Sequence, residues 1–167
     1  RDIGVTGVQT CALPIWGGIV QGEPSVAVTP GGNFHVVIRN LIEDFSYGAA
    51  WMLVVRKDQD LGEWHGLGGV WGEDLVCAAD ESGETIRVAG IDTFGGVWAG
   101  EGSYSGDWFG WGFKTGIVQR LSAAQVNGRF TLFAVDQFDG AYRLNLEQDE
   151  WTGTHGLAMG RPAATGR

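Results

Sequence analysis

The chain has 167 residues and a formal charge of −9, with 20 Asp and Glu against 11 Lys and Arg. It lacks the basic stripe that neutralises phosphates, which excludes nucleic acid as a partner. Its 29 glycines, 8 tryptophans and 44% hydrophobic residues suit one domain of short strands and tight turns, or part of one. No apolar run approaches the roughly 18 residues of a membrane span, so no membrane span is expected.

Residues 1–15 are set apart first. Val5 to Ile15 resembles the conceptual translation of a short-read sequencing adapter, and such scars are excluded before a fold is argued. On this reading Trp16 takes the first base of its codon from the adapter, and the natural protein extends further toward the N-terminus. Setting Cys11 aside leaves Cys77, in the middle of an apolar run, which is expected to be a small buried hydrophobe.

From Trp16 the chain repeats itself. Trp16-Gly17-Gly18 leads to a small apolar run (Ser25 to Val28), a turn at Pro30-Gly31-Gly32, a bulkier run (Phe34 to Arg39) and Ala50-Trp51-Met52. Trp64-His65-Gly66 opens the next copy: Leu75 to Ala79, a turn at Ser82-Gly83, Ile86 to Ile91, a turn at Phe94-Gly95-Gly96, and Val97-Trp98-Ala99. Trp111 opens a third with Leu121 to Ala124, Asn127-Gly128, Phe130 to Val135, a hairpin turn over Asp136 to Gly140, and Ala141-Tyr142-Arg143; Trp151 opens a fourth, which stops at Arg167.

The small first run suits a crowded strand near an axis, and the β-branched and aromatic second run suits a pleated, packed strand. Glycine and Asn-Gly between them supply the positive φ of hairpin turns. A repeat of roughly 40 to 50 residues with about four short antiparallel strands describes a propeller blade, with solenoid and sandwich as the alternatives. The expected fold is therefore all-β: an incomplete β-propeller over residues 16–167 of about three and a half four-stranded antiparallel blades, with units starting near residues 16, 64, 111 and 151.

Trp64-His65-Gly66-Leu67-Gly68-Gly69, Gly96-Val97-Trp98, Asp107-Trp108-Phe109-Gly110-Trp111 and Asn127-Gly128-Arg129-Phe130 resemble the repeats of PLL-type bacterial β-propeller lectins. The resemblance runs from residue 16 to about residue 160. It implies a seven-bladed wheel that binds fucose-like sugars between neighbouring blades, with further blades of the same propeller as partners; the sequence says nothing direct about export, and a secreted or cell-surface location is the one favoured. Three departures stand out: Tyr142 replaces a tryptophan, the doubled W-x-x-W occurs only at Trp108 and Trp111, and Leu-Gly-Gly occurs only at Leu67 to Gly69.

Sugars present apolar C–H faces ringed by hydroxyls, so a binder needs flat aromatic surface with hydrogen-bonding groups at its edge. The candidate carbohydrate-binding residues are Trp98, Trp108, Trp111, Trp51, Trp64 and Tyr142, for a neutral monosaccharide or glycan. Trp51, Trp98 and Tyr142 occupy equivalent positions, as do Trp64, Trp111 and Trp151. The plainer reading of the second set is structural, blade packed on blade, and a non-catalytic scaffold or protein-interaction propeller is the alternative function.

Catalysis is the weaker class. A sialidase needs three converging arginines, and Arg39, Arg87 and Arg129 fall at different registers of the middle strands; Ser105-Gly106-Asp107 opens like a Ser-x-Asp-x-Gly turn, but Phe109 stands where glycine belongs. No hydrolase, metalloprotease or phosphate-loop motif occurs. No catalytic residue, metal site or cofactor is expected. The acidic residues read as solvated loop charges, His65 and His155 as surface or turn residues, and His35 as a packed strand residue.

Overall fold

The computed structural model describes residues 19–41, 48–58, 62–73, 75–82, 84–146 and 149–157. Residues 1–15, and the tail beyond residue 157, lie outside them. Among the described residues every regular element is a strand. The first sheet comprises β1 (Ile19–Val28), β2 (Phe34–Leu41), β3 (Gly48–Val55) and β4 (Glu63–Trp71). The second comprises β5 (Val76–Ala79), β6 (Thr85–Ile91), β7 (Gly96–Ser103) and β8 (Trp108–Ile117); the third β9 (Arg120–Val126), β10 (Arg129–Val135), β11 (Gly140–Asn145) and β12 (Glu150–Leu157). Each is an antiparallel meander with its strands in chain order, so the chain is all-β and built of three four-stranded blades.

The blades stack in sequence. β1 lies beside β5 and β5 beside β9, which places the three small apolar runs at the inner edge, as expected of strands crowded near an axis. Across this edge the Ser25 hydroxyl accepts from the Cys77 backbone N–H at 3.0 Å, and the Gln125 side-chain amide donates to the Ala79 carbonyl. Cys77 is buried there, and loss of water around the thiol pushes its pKa up to about 12.

Two apolar clusters fill the junctions. Val37, Met52, Val54 and Leu67 of the first blade meet Leu75, Ile86 and Val88 of the second. Ala89, Ile91 and Val97 of the second meet Leu121, Phe130, Leu132 and Leu144 of the third. The second sheet thus buries apolar residues on both faces, which explains the imperfect alternation along its strands.

The tryptophans that open the second, third and fourth sequence units each lie on the last strand of the preceding sheet: Trp64 on β4, Trp111 on β8, Trp151 on β12; Trp16 lies outside the described residues. Sequence repeat and sheets are therefore out of phase by one strand. The register confirms the equivalences, because Trp51, Trp98 and Tyr142 pair with Gly66, Phe113 and Gly153, each two residues beyond such a tryptophan.

Turns follow their residues. Asn127 (φ 52) and Gly128 (φ 74) both take positive φ, as a two-residue hairpin between right-twisted strands requires. In the β5–β6 turn the Asp80 carboxylate accepts from Ser82 Oγ at 2.8 Å, Thr85 Oγ1 at 2.7 Å and the Glu84 backbone N–H at 3.1 Å. Tyr104, from the β7–β8 turn, donates to the Asp80 backbone carbonyl or carboxylate at 3.2 Å, and its ring lies 5.2 Å from that of His35, buried on the first blade.

Two outcomes follow from this architecture. Burial works to raise the Asp80 pKa, but the bonds from Thr85, Ser82 and Glu84 outweigh it and hold the pKa at about 2 instead of 3.8. A depressed carboxylate stabilises the fold fully above its unfolded pKa and loses that contribution as pH falls through the folded value. Asp80→Asn should accordingly lower stability to urea at neutral pH, with the gap to the parent closing between about pH 4 and pH 2. The second concerns the face of the first blade turned away from the second, where Val26, Val28 and Phe34 are about half exposed. Contiguous apolar surface of this kind drives association, so Val26→Lys with Phe34→Lys should reduce self-association in sedimentation.

Candidate functional site

An open cavity of about 550 Å³ lies at the junction of the first two blades, lined by Gly69, Val70 and Trp71 from the end of β4, Asp92, Thr93 and Phe94 from the β6–β7 turn, and Trp98 and Trp111. Its wall is almost wholly apolar.

Trp71 comes into place through the connection between blades. It bridges to Asp92, the next residue's N–H donates to the Ile91 carbonyl at 3.1 Å, and Arg39 Nη1 donates to the carbonyls of Trp71 and Gly72 at 3.1 and 2.8 Å. Trp111 stacks tilted on it at 4.3 Å, and Trp108 on Trp111 at 4.7 Å. The three indoles thus form one continuous cluster.

The polar rim comes from a turn. Asp92 Oδ1 accepts the backbone N–H groups of Phe94 and Gly96 at 2.8 and 2.9 Å, and Oδ2 accepts Trp98 Nε1 at 2.9 Å. Burial works to raise this carboxyl, but the bonds from Trp98, Gly96 and Phe94 outweigh it and keep its pKa below the ordinary value. Oδ2 has lone-pair capacity beyond its one indole donor. Thr93 adds a hydroxyl-bearing side chain, and Phe94 projects from the turn, 87% exposed.

The device recurs. Asp136 accepts from the Phe138 and Gly140 backbone N–H groups at 2.8 Å and from Tyr142, and Phe138 is 75% exposed. In the first blade Asn40 Oδ1 accepts from the Ala49 N–H at 2.8 Å across the longer β2–β3 connection. At the second junction the bond of Gly72 to Ile91 returns as Gln119 to Val135, which puts buried Val118 where Trp71 stands. Tyr142 likewise takes the place of Trp98, so the second junction carries less aromatic surface.

The sequence candidates separate accordingly. Trp98 and Trp111 line the cavity; Trp108 lies behind Trp111, half-buried, with no hydrogen-bond partner for its N–H among the described residues. Trp51 and Trp64 belong to the first blade, on residues alternating with those buried against the second, and Tyr142 belongs to the second junction. Indole N–H groups do not form the polar edge. Trp111 donates to the Leu67 carbonyl at 2.8 Å, Trp71 to Gly68 at 2.9 Å, Trp98 to Asp92, and Trp151 to Thr115.

Sequence reasoning did not single out Trp71, Asp92, Thr93 or Phe94 for binding. The signal for Asp92 and Phe94 was present as a repeated Asp-x-Phe-x-Gly, in Asp92 to Gly96 and Asp136 to Gly140. Of the three arginines weighed for catalysis, Arg39 is buried on the interblade connection and Arg87 pairs with Glu101 at 3.3 Å. Among the described residues no three metal-binding side chains cluster, and no helix is long and apolar enough to cross a membrane.

No family model matches the chain, and no curated protein matches it. Among solved structures, one similar to it is a fucose lectin from Kordia zhangzhouensis in complex with methyl-fucoside, at 15% identity and a TM-score of 0.48, covering 81% of this chain and 100% of that chain.

The Trp111 bond tests the packing side of this cluster. Trp111→Phe keeps a ring and deletes the donor to Leu67, so it should destabilise by about 1–2 kcal/mol in urea unfolding, the range for leaving a part-buried carbonyl without its partner.

Proposed function

We propose that this chain is a non-catalytic carbohydrate-binding propeller segment whose best-formed site is the aromatic cavity between the first two blades. The ligand is a neutral, fucose-like monosaccharide or a glycan ending in one. The observation that supports this is an almost wholly apolar cavity lined by Trp71, Trp98, Trp111 and Phe94, with Asp92 and Thr93 also among its lining residues.

An apolar sugar face covers the indole and phenyl surface, and its ring hydroxyls donate to the spare lone pair of Asp92 and bond with Thr93. Burial of the C–H face supplies affinity, and the carboxylate, already fixed by three donors, supplies orientation without reorganising. A carboxylate here also disfavours anionic sugars at this position.

Single sites of this kind bind at about millimolar strength, or about 4 kcal/mol, and repetition from blade to blade supplies avidity. The smaller second junction, with Val118 and Tyr142, is the weaker of the two.

Titration with methyl-fucoside should change tryptophan fluorescence with a millimolar midpoint. Phe94→Ala, at a fully solvated turn, should weaken binding several-fold with unchanged circular dichroism and urea midpoint, and Trp98→Ala should abolish it. Flat titrations across a panel of neutral monosaccharides would return the chain to the scaffold reading.

A further inference from the structure

A second cavity, of about 340 Å³, opens between the second and third blades. It shares no residue with the aromatic cavity and differs from it in chemistry. Ala99 and Gly110 are the small residues beside the open space, Leu146 of the third blade closes one side, and Arg87, Glu101, Lys114 and Phe109 supply its functional groups.

The local backbone accounts for the shape. β7 and β8 pair Gly100 with Trp111 and Gly102 with Trp108, so Phe109 and Gly110 form a bulge in β8. Gly110 sits at φ +109 with nothing within 4 Å of where a Cβ would be. The bulge leaves Phe109 64% exposed, a phenyl ring at the mouth of a polar cavity.

Two cations and one carboxylate line this space. Arg87 Nε donates to Glu101 Oε2 at 3.3 Å, which leaves the four N–H groups of its two terminal nitrogens for other acceptors. Lys114 Nζ lies 3.0 Å from Asp149 Oδ1, on the third blade, with its side chain only 20% exposed. Lys114 is thus half-buried and held at the junction by a carboxylate of the next blade. With Arg87 paired to Glu101 and Lys114 to Asp149, two cations meet two carboxylates around this recess in a chain of net charge −9, and what stays open to a ligand is the terminal edge of the Arg87 guanidinium.

The corresponding place on the third blade is hydrophilic too. By the register, Arg87 and Glu101 become Thr131 and Asn145, and both line a cavity of about 420 Å³ together with Arg143 and Thr152. A polar recess on this face is thus a feature of two successive blades.

We propose that the cavity at Arg87, Lys114 and Phe109 binds a carboxylate-bearing sugar, distinct in class from the neutral ligand of the aromatic cavity. The ligand carboxylate takes the terminal guanidinium nitrogens of Arg87, a planar pairing that guanidinium favours. Lys114 adds attraction, the Phe109 ring covers a C–H face, and Glu101 accepts a ring hydroxyl. The inference stands independently of the neutral-sugar reading.

Glucuronate is the probe, with glucose and methyl-fucoside as controls, in calorimetric and saturation-transfer NMR titrations at two ionic strengths. Glucuronate should bind at least tenfold tighter than glucose, and more weakly at high salt. Arg87→Met should remove this preference, Phe109→Ala should lower glucuronate affinity several-fold, and Phe94→Ala should leave it unchanged. Phe109 is exposed, so its variant reports binding even if Arg87→Met impairs folding, which urea unfolding would reveal. Equal affinity for glucuronate and glucose, or a preference untouched by both Arg87→Met and Phe109→Ala, would overturn the proposal. Loss of methyl-fucoside binding with glucuronate binding retained would sink only the reading of the aromatic cavity.

Discussion

A four-stranded sheet with apolar side chains on both faces cannot remain alone in water; it needs another sheet on each side. The second blade satisfies this on both faces, with Ile86 and Val88 against the first blade and Ala89, Ile91 and Val97 against the third. Close approach at the inner edge depends on small residues in β1, β5 and β9, since larger side chains there would hold the strands apart. Directional bonds then fix how the sheets sit. Trp111 and Trp151 each donate from the last strand of one blade to a carbonyl of the blade before, and Arg39 holds the connecting backbone in place. Non-directional burial sets the stacking, and these bonds select one register within it.

That division explains how the aromatic cavity can exist. Trp71, Trp108 and Trp111 are first of all packing residues, and the cavity lies where their cluster meets solvent beside the β6–β7 turn. Their N–H groups are occupied or enclosed, so under the proposed function hydrogen bonding to a ligand falls to Asp92 and Thr93. Asp92 has a double task. It organises its own turn through two backbone donors and holds Trp98 by a third, so the same carboxylate that shapes the hairpin faces the cavity. Rigidity on the protein side comes without dedicated scaffolding, which suits a small site on a repeated unit.

Repetition also shows where the copies have diverged. Asn40, Asp92 and Asp136 keep the turn acceptor, and Trp51, Trp98 and Tyr142 keep an aromatic beside it. Trp71 has no aromatic counterpart at the second junction, where Val118 takes the place. The packing function tolerates that change because Val118 is itself buried, whereas the aromatic wall of the cavity is lost. Stacking the blades and forming the aromatic cavity therefore depend on overlapping but separable positions.

The sequence by itself determined the strand content, the repeat, the turns at Asn127-Gly128 and Asp136 to Gly140, and the equivalence of Trp51 with Trp98 and Tyr142. These are local: a run of β-branched and aromatic residues, a glycine or asparagine needing positive φ, a recurring aromatic at fixed spacing. Buried Cys77 and His35 were legible for the same reason, each lying within an apolar run. Only the tertiary structure decided that Trp64, Trp111 and Trp151 belong to the preceding sheet, because strand pairing partners are chosen across the turn and not by the repeat. It alone brought Trp71 to Asp92, residues of different blades that touch through the stacking of two sheets. It also decided which tryptophans face a cavity, since a side chain's face depends on bulges and register, such as those within β4 and β8, that leave no signature in the order of residues.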